Sequence, residues 1–239
     1  MKLDILVLAA HPDDAELGCS GTIAAHVAKG HKVGIVDFTQ GEMGTRGTPE
    51  IRLEEAKSAA KILQLSAREN LGFKDVYFFN DEEHQLKLVE KIRKYRPDIV
   101  LANAVTDRHP DHGKGGSLAS TACFMSGLRK IETMSEDGKP QEAWRPKFIY
   151  HYIQNNYLEP DFVMDITPFW QIKLDSILAF KSQFYDPSSN EPQSFIADPE
   201  FLPFIESRAR EFGHRILAKY GEGFTVERMI GTSDLFDLK

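Results

Sequence analysis

The chain has 239 residues, 41% hydrophobic and 27% charged, with a formal net charge of −7. That length fits one sizeable domain with a real core, and the acidic balance argues against nucleic acid, which asks for a basic face. Cys19 and Cys123 are the only cysteines, which argues against a disulfide framework.

The first apolar run, Ile5–Ala10, is too short for a secretory h-region and follows Asp4. No stretch is long enough to span a bilayer, so no membrane association and a cytoplasmic location are expected. Ile5–Ala9 reads as a strand buried on both faces. Gly18–Lys29 reads as a helix with Ile23, Ala24, Val27 and Ala28 on one face, closed by Gly30. A second strand covers Lys32–Thr39. Thr48 is placed to cap the next helix, with Pro49 at its first position and Leu53, Ala56, Ala60 and Leu63 as its buried stripe.

A short strand and turn fall within 71–79, an amphipathic helix over Glu82–Tyr95, a strand in "DIVLAN" (98–103), and a helix after His112. "FIYHYI" (148–153) and "FVMDI" (162–166) read as strands, 168–182 and 200–219 as helices, and the Pro- and Ser-rich 185–199 as a loop or lid. The alternation predicts an α/β fold: a Rossmann-like three-layer α/β/α architecture with a mostly parallel sheet and a C-terminal elaboration, as a single domain over 1–239.

Ligands bind beyond the carboxyl ends of strands in such sheets. The segments richest in His and Asp, 11–16 and 107–112, fall at two such ends. Two imidazoles and a carboxylate suit a divalent transition metal, and three protein ligands leave a position for water. If His11, Asp14 and His112 hold the metal, Asp13 and His109 stand beside it, free to move protons, and Asp111 can orient His109. Taken alone, Asp13–Asp14 also fits a helix N-terminal cap, and His109 a surface histidine. Glu16 fits helix-start electrostatics better than a ligand role. The glycine-rich loop "TQGEMGTRGTPEIR" (39–52) has no phosphate-loop pattern. Its Glu42, Arg46 and Arg52 are candidate substrate contacts; for Arg52 the alternative is a salt bridge to Glu55 or a nearby acid.

"AAHPDDAELG" (9–18) and "DRHPDHGKG" (107–115) together resemble the LmbE-like, or PIG-L, deacetylase family. The resemblance covers most of the chain and is clearest through residue 115. It implies a zinc enzyme that removes acetyl groups from N-acetylglucosamine derivatives. "GTPEIRLEEAKSAAKIL", "FKSQF" and "EGF" resemble the branch acting on N-acetylglucosaminyl malate in bacillithiol biosynthesis.

Carried over by position, the family pattern makes His11, Asp14 and His112 the zinc ligands and Asp13 the general base. His109 becomes the oxyanion or leaving-group residue, Asp111 its partner and Arg52 a substrate contact. The family motif often has Glu after its two aspartates, where this chain has Ala15. Some relatives supply a late tyrosine; the corresponding "ADPEFLPFIESRAREFG" carries Phe201 and no Tyr, leaving Tyr185 as the substitute.

The expected substrate is a small N-acetylglucosaminide, with Arg108 flanking the site to receive malate carboxylates, or a salt bridge to Asp107 or another acid as its alternative role. A chitooligosaccharide is the alternative substrate, Zn2+ or Fe2+ the expected metal, and a homo-oligomer the expected assembly. The rival readings are a non-haem iron oxygenase and a non-catalytic metal- or nucleotide-binding module. The first leaves Asp13 and His109 unexplained.

Overall fold

Ile5–Ala9 is buried along its whole length and forms β1. It is followed by α1 (Asp14–Ala28), β2 (Val33–Thr39), α2 (Pro49–Ile62), β3 (Ala67–Phe73), α3 (Glu82–Tyr95), β4 (Ile99–Ala102) and α4 (Pro110–Ser126). The C-terminal part adds β5 (Phe148–Tyr152), β6 (Phe162–Asp165), α5 (Trp170–Leu178), α6 (Phe201–Arg215) and β7 (Gly221–Val226). These elements come from a computed structural model that describes residues 1–237.

One seven-stranded sheet runs β3-β2-β1-β4-β5-β7-β6. Strands β1 to β5 are parallel, and β7 pairs antiparallel with β5 and β6. The fold is therefore the expected mostly parallel α/β architecture. Alternation along β1 divides the core: Leu6 and Leu8 pack with Leu88, Ile92, Leu118 and Ala122 of α3 and α4. Ile5, Val7 and Ala9 pack on the opposite face with Ile23 and Ala24 of α1, Tyr152 and Phe224. From β1 the chain order proceeds outward through β2 and β3 on one side and then to β4 and β5 on the other, so the crevice at the carboxyl ends of β1 and β4 is a topological switch point.

Several boundaries differ from the sequence reading. β3 lies at Ala67–Phe73 rather than within 71–79, and its polar residues serve buried contacts. Arg68 donates to both oxygens of Asp37 (2.8 and 3.1 Å) and to Glu16 (2.5 Å), which also gives Glu16 a structural role. In α2 the inward stripe is Arg52, Ala56, Ala59 and Leu63; Leu53 is 45% exposed because Arg52 turns to the interior. Thr48 caps that helix as expected, accepting from Ile51 N–H. Strand β7 was not anticipated. Its Gly221 and Gly223 lower strand propensity, yet a Cβ on Gly221 would stand 2.5 Å from Val163 and one on Gly223 2.9 Å from Phe212.

Helix α1 starts at Asp14, earlier than Gly18, and kinks at Cys19 (φ −147°, ψ 17°). The kink frees backbone groups that a straight helix would pair internally. Glu222 accepts from Gly21 N–H (3.0 Å) and Thr22 N–H (2.7 Å), while Lys173 donates to Glu16 O (3.1 Å) and Leu17 O (2.7 Å). Lys173 and Glu222 form a buried ion pair at 2.7 Å. Thus α5 and β7, the C-terminal elaboration, fix the helix that leads out of the cleft.

Candidate active site

The carboxyl ends of the parallel strands converge on a cleft of about 350 Å³. The turn after β1 supplies His11 and Asp13, the first residue of α1 is Asp14, and the loop after β2 supplies Met43 to Arg46. Asp75 follows β3, Arg108, His109 and His112 follow β4, and Gln154 follows β5.

Asp14 is the centre of the donor cluster. One of its oxygens lies 3.4 Å from His11 Nδ1 and the other 3.0 Å from His112 Nε2. The carboxylate also accepts from His11 N–H (2.9 Å), Asn103 Nδ2 (3.0 Å) and Gln154 Nε2 (3.0 Å). Burial opposes its charge, but His112 and His11 outweigh that and hold the carboxyl well below its ordinary range. The rings of His11, His109 and His112 bring donor atoms within 4.8 Å of one another. Two imidazole nitrogens facing one buried carboxylate fit a divalent transition metal, with N and O donors suited to Zn2+ or Fe2+.

His112 is oriented from behind by Asp107, whose carboxylate stands 2.5 Å from Nδ1 and accepts from Asn156 N–H. That leaves Nε2 facing Asp14. Burial works against its charged form, yet Asp14 and Asp107 raise its pKa to about 9 in the metal-free chain. His11 is raised well above the usual imidazole range: burial opposes this, but Asp111, Asp14 and Asp75 more than compensate.

Asp13 stands apart from this cluster. It occupies the N-cap position of α1 with φ 110° and ψ −24°, and its side chain makes no capping hydrogen bond. A non-glycine residue held in this region is strained, as residues at functional sites often are. Arg52 holds the side chain: Nη2 donates to Asp13 Oδ2 (3.0 Å) and to Pro12 O, and Nη1 to Gly41 O (3.3 Å). Gly41 is required there, because its φ is 66° and a Cβ would stand 1.8 Å from Arg52 Nη1. Burial raises Asp13 to about 7, against the pull of Arg52. Arg52 therefore pairs with Asp13, while Glu55 accepts from Ser182 N–H (2.6 Å) and Oγ (2.8 Å).

His109 caps α4, its Nδ1 accepting from Asp111 N–H (3.3 Å). That bond assigns the proton of the neutral ring to Nε2. Burial, with His11 and His112 nearby, pushes its pKa below the ordinary value. The Asp111 carboxylate differs from expectation. It turns to Val76 N–H (2.9 Å), Lys114 Nζ (2.5 Å) and His11 Nε2 (3.4 Å), and it meets His109 through its backbone N–H.

The substrate candidates divide. Arg108 packs its guanidinium 4.1 Å from the Phe195 ring centre at the cleft rim, rather than on Asp107. Arg46 is only 4% exposed, lines the cleft and donates to Ser189 Oγ (2.9 Å). Glu42 is exposed and accepts from Asp75 N–H (2.7 Å), so it braces the neighbouring turn. Phe201 lines the cleft where a late tyrosine was sought; Tyr185 is 49% exposed and is not among the lining residues.

Asp75, Asn103, Asp107 and Gln154 were not singled out for these roles in the sequence. Each follows a parallel strand; Asp75, Asn103 and Gln154 sit in no compact motif, whereas Asp107 opens "DRHPDHGKG" and entered the sequence reading only as a salt-bridge partner for Arg108.

Fold and cleft together define an α/β protein with a His/Asp cluster able to take a metal at its switch point. The family described as GlcNAc-PI de-N-acetylase (PIG-L) matches residues 6–123. The chain is 30% identical over 192 residues to a diacetylchitobiose deacetylase of Thermococcus kodakarensis, covering 75% of this chain and 70% of that one. It is 28% identical over 194 residues to a Bacillus subtilis protein described as a probable N-acetyl-α-D-glucosaminyl L-malate deacetylase 2, covering 77% and 84%. A conserved protein of Thermus thermophilus superposes with a TM-score of 0.86 at 36% identity over 98% of both chains. The chain belongs to the PIG-L, or LmbE-like, family.

Among the described residues, no helix is long and apolar enough to cross a membrane.

Proposed function

We propose that this protein is a metal-dependent hydrolase that removes the acetyl group from an N-acetylglucosaminide, with N-acetylglucosaminyl malate of bacillithiol biosynthesis as its substrate. The observation that carries the reading is the division of labour in the cleft. His11 and His112 both face the Asp14 carboxylate and are read as the donor set with it; His109 brings a ring nitrogen within 4.8 Å of theirs without touching Asp14, and Asp13, held by Arg52, lines the same space. When bound, Zn2+ or Fe2+ lowers the pKa of a water and polarises the acetamide carbonyl.

Asp13 takes the proton of the attacking water, and burial gives it the basicity for that task. Arg52 fixes Asp13 Oδ2, so the base is aimed before substrate arrives. His109 offers Nε2–H to the carbonyl oxygen as charge develops on it. The amine leaves protonated, and Asp13, which holds the proton taken from the water, lines the cleft and returns it to the nitrogen as the C–N bond breaks.

The aglycone reading is supported by Arg108 and Arg46. Both line the cleft: Arg108 lies over the Phe195 ring, and Arg46 donates to Ser189 Oγ with the Asp186 carboxylate near enough to feel its charge. A neutral second sugar is the alternative, supported by the diacetylchitobiose deacetylase relative and by the apolar wall of Phe195, Ile196 and Phe201.

Arg108→Ala decides between them in an acetate-release assay. Loss of one charge-assisted contact, roughly 1.5–3 kcal/mol, should raise KM for the malate glycoside about ten- to hundredfold. Free N-acetylglucosamine and diacetylchitobiose should be little affected. Equal losses on all three substrates would remove the malate assignment.

A further inference from the structure

Asp75 has no place in the chemistry above, although it is buried against His11. Its Oδ1 lies 3.1 Å from His11 Nε2, on the edge of the ring opposite to Asp14. Its other oxygen accepts from Met43 N–H (3.1 Å), and its own N–H donates to Glu42 Oε1 (2.7 Å). The next peptide, Val76 N–H, donates to Asp111 Oδ2 (2.9 Å). The turn is therefore gripped from the glycine-rich loop on one side and from α4 on the other.

We infer that Asp75 is the positioning residue of His11. It accepts the Nε2–H of that ring and thereby leaves Nδ1 as the nitrogen offered to a metal. A ligating histidine commonly gives its other N–H to a carboxylate, which fixes both tautomer and ring orientation. Here that arrangement occurs twice with opposite sense. Asp107 holds His112 at Nδ1 and frees Nε2, while Asp75 holds His11 at Nε2 and frees Nδ1. Both freed nitrogens face the carboxylate of Asp14, at 3.0 and 3.4 Å.

His11, Asp75 and Asp111 also bring donor atoms within 4.8 Å of one another. A second cation there is disfavoured because the carboxylate oxygens already have partners in Met43 N–H, Val76 N–H and the Lys114 ammonium. Because Asp75 also holds Met43 N–H, the loop carrying Met43, Gly44 and Arg46 into the cleft is tied to the metal-facing ring through one carboxylate.

The inference rests on the metal-site reading, and the experiment separates their failures. Asp75→Asn keeps the shape but presents an N–H₂ to Nε2, which favours the wrong tautomer. Zn2+ affinity, measured by competition with a chromophoric chelator, should fall about 10- to 100-fold. The metal-free variant should keep the parent's circular dichroism and a single cooperative thermal transition, at a Tm lowered by the lost His11 contact, so that lost affinity is distinguished from a lost fold. Unchanged Zn2+ affinity in this variant would overturn the assignment.

The parent chain loaded with Cd2+ gives a second readout should the variant not fold. Nitrogen-15 NMR of His11, assigned by its absence in His11→Asn, should show cadmium coupling at Nδ1 and a retained proton on Nε2. Cadmium coupling at Nε2, or two equivalents bound with one between Asp75 and Asp111, would overturn the inference alone. A parent chain that binds no metal would overturn the metal-site reading and the inference together.

Discussion

Asp13→Asn is expected to retain its metal and to lose turnover on the order of 10²-fold or more, the scale of removing a general base. Asp13 and Asp14 are adjacent in sequence but opposed in environment. Asp14 lies between His11 and His112 and is held well below the ordinary carboxyl range, as suits a ligand. Asp13 sits in a strained backbone conformation, caps nothing, and is raised to about 7 by burial. Asparagine preserves an oxygen for Arg52, so the turn before α1 should persist while proton transfer is lost. Metal content by elemental analysis and turnover on one substrate check both halves. A variant that lost its metal would show that Asp13 and Asp14 had been assigned the wrong way round.

Lys173→Met should have the largest effect on stability. Lys173 is 2% exposed, and its ammonium meets Glu222 and two carbonyls released by the α1 kink. Removing it leaves the Glu222 charge buried against only two backbone N–H groups. Breaking a buried pair by removing one partner costs about 3–5 kcal/mol, which for a chain of this size lowers Tm by roughly 6–20 °C. The double variant Lys173→Met/Glu222→Gln should recover part of the loss, since it leaves no unpaired charge. A single variant within about 1 kcal/mol of the parent in urea titration would show that the pair does not hold the kink.

The legible parts of the site are those in which sequence neighbours remain spatial neighbours. His11, Asp13 and Asp14 share one turn after β1, and Asp107 to His112 lead into α4, so their chemistry could be read as two short motifs. Asp75 was hidden by the placement of β3. Arg68 and Asn70 make "ARENLGF" look like a loop, because their partners, Asp37, Glu16 and Thr39 O, come from other elements. With the strand placed four residues late, Asp75 fell inside it rather than just past its end.

Gln154 and Asn103 are ordinary polar residues until β4 and β5 pair and bring them to Asp14. The expected Asp111–His109 pair missed because helix capping turns the His109 ring toward the Asp111 backbone, while Lys114, one helical turn on, draws the carboxylate away. Strand β7 was obscured by glycines that its packing against α6 and β6 demands.

The central claim is that the His11–Asp14–His112 set binds one metal ion and that the cleft around it hydrolyses an acetamide. It is tested most directly by stripping the protein of metal and adding Zn2+ back without oxygen, while acetate release from N-acetylglucosaminyl malate and diacetylchitobiose is followed. Acetate formation from at least one substrate should rise with added Zn2+ and reach its plateau at one equivalent per chain. No acetate from either substrate at any metal loading, or release that requires oxygen, would contradict the account.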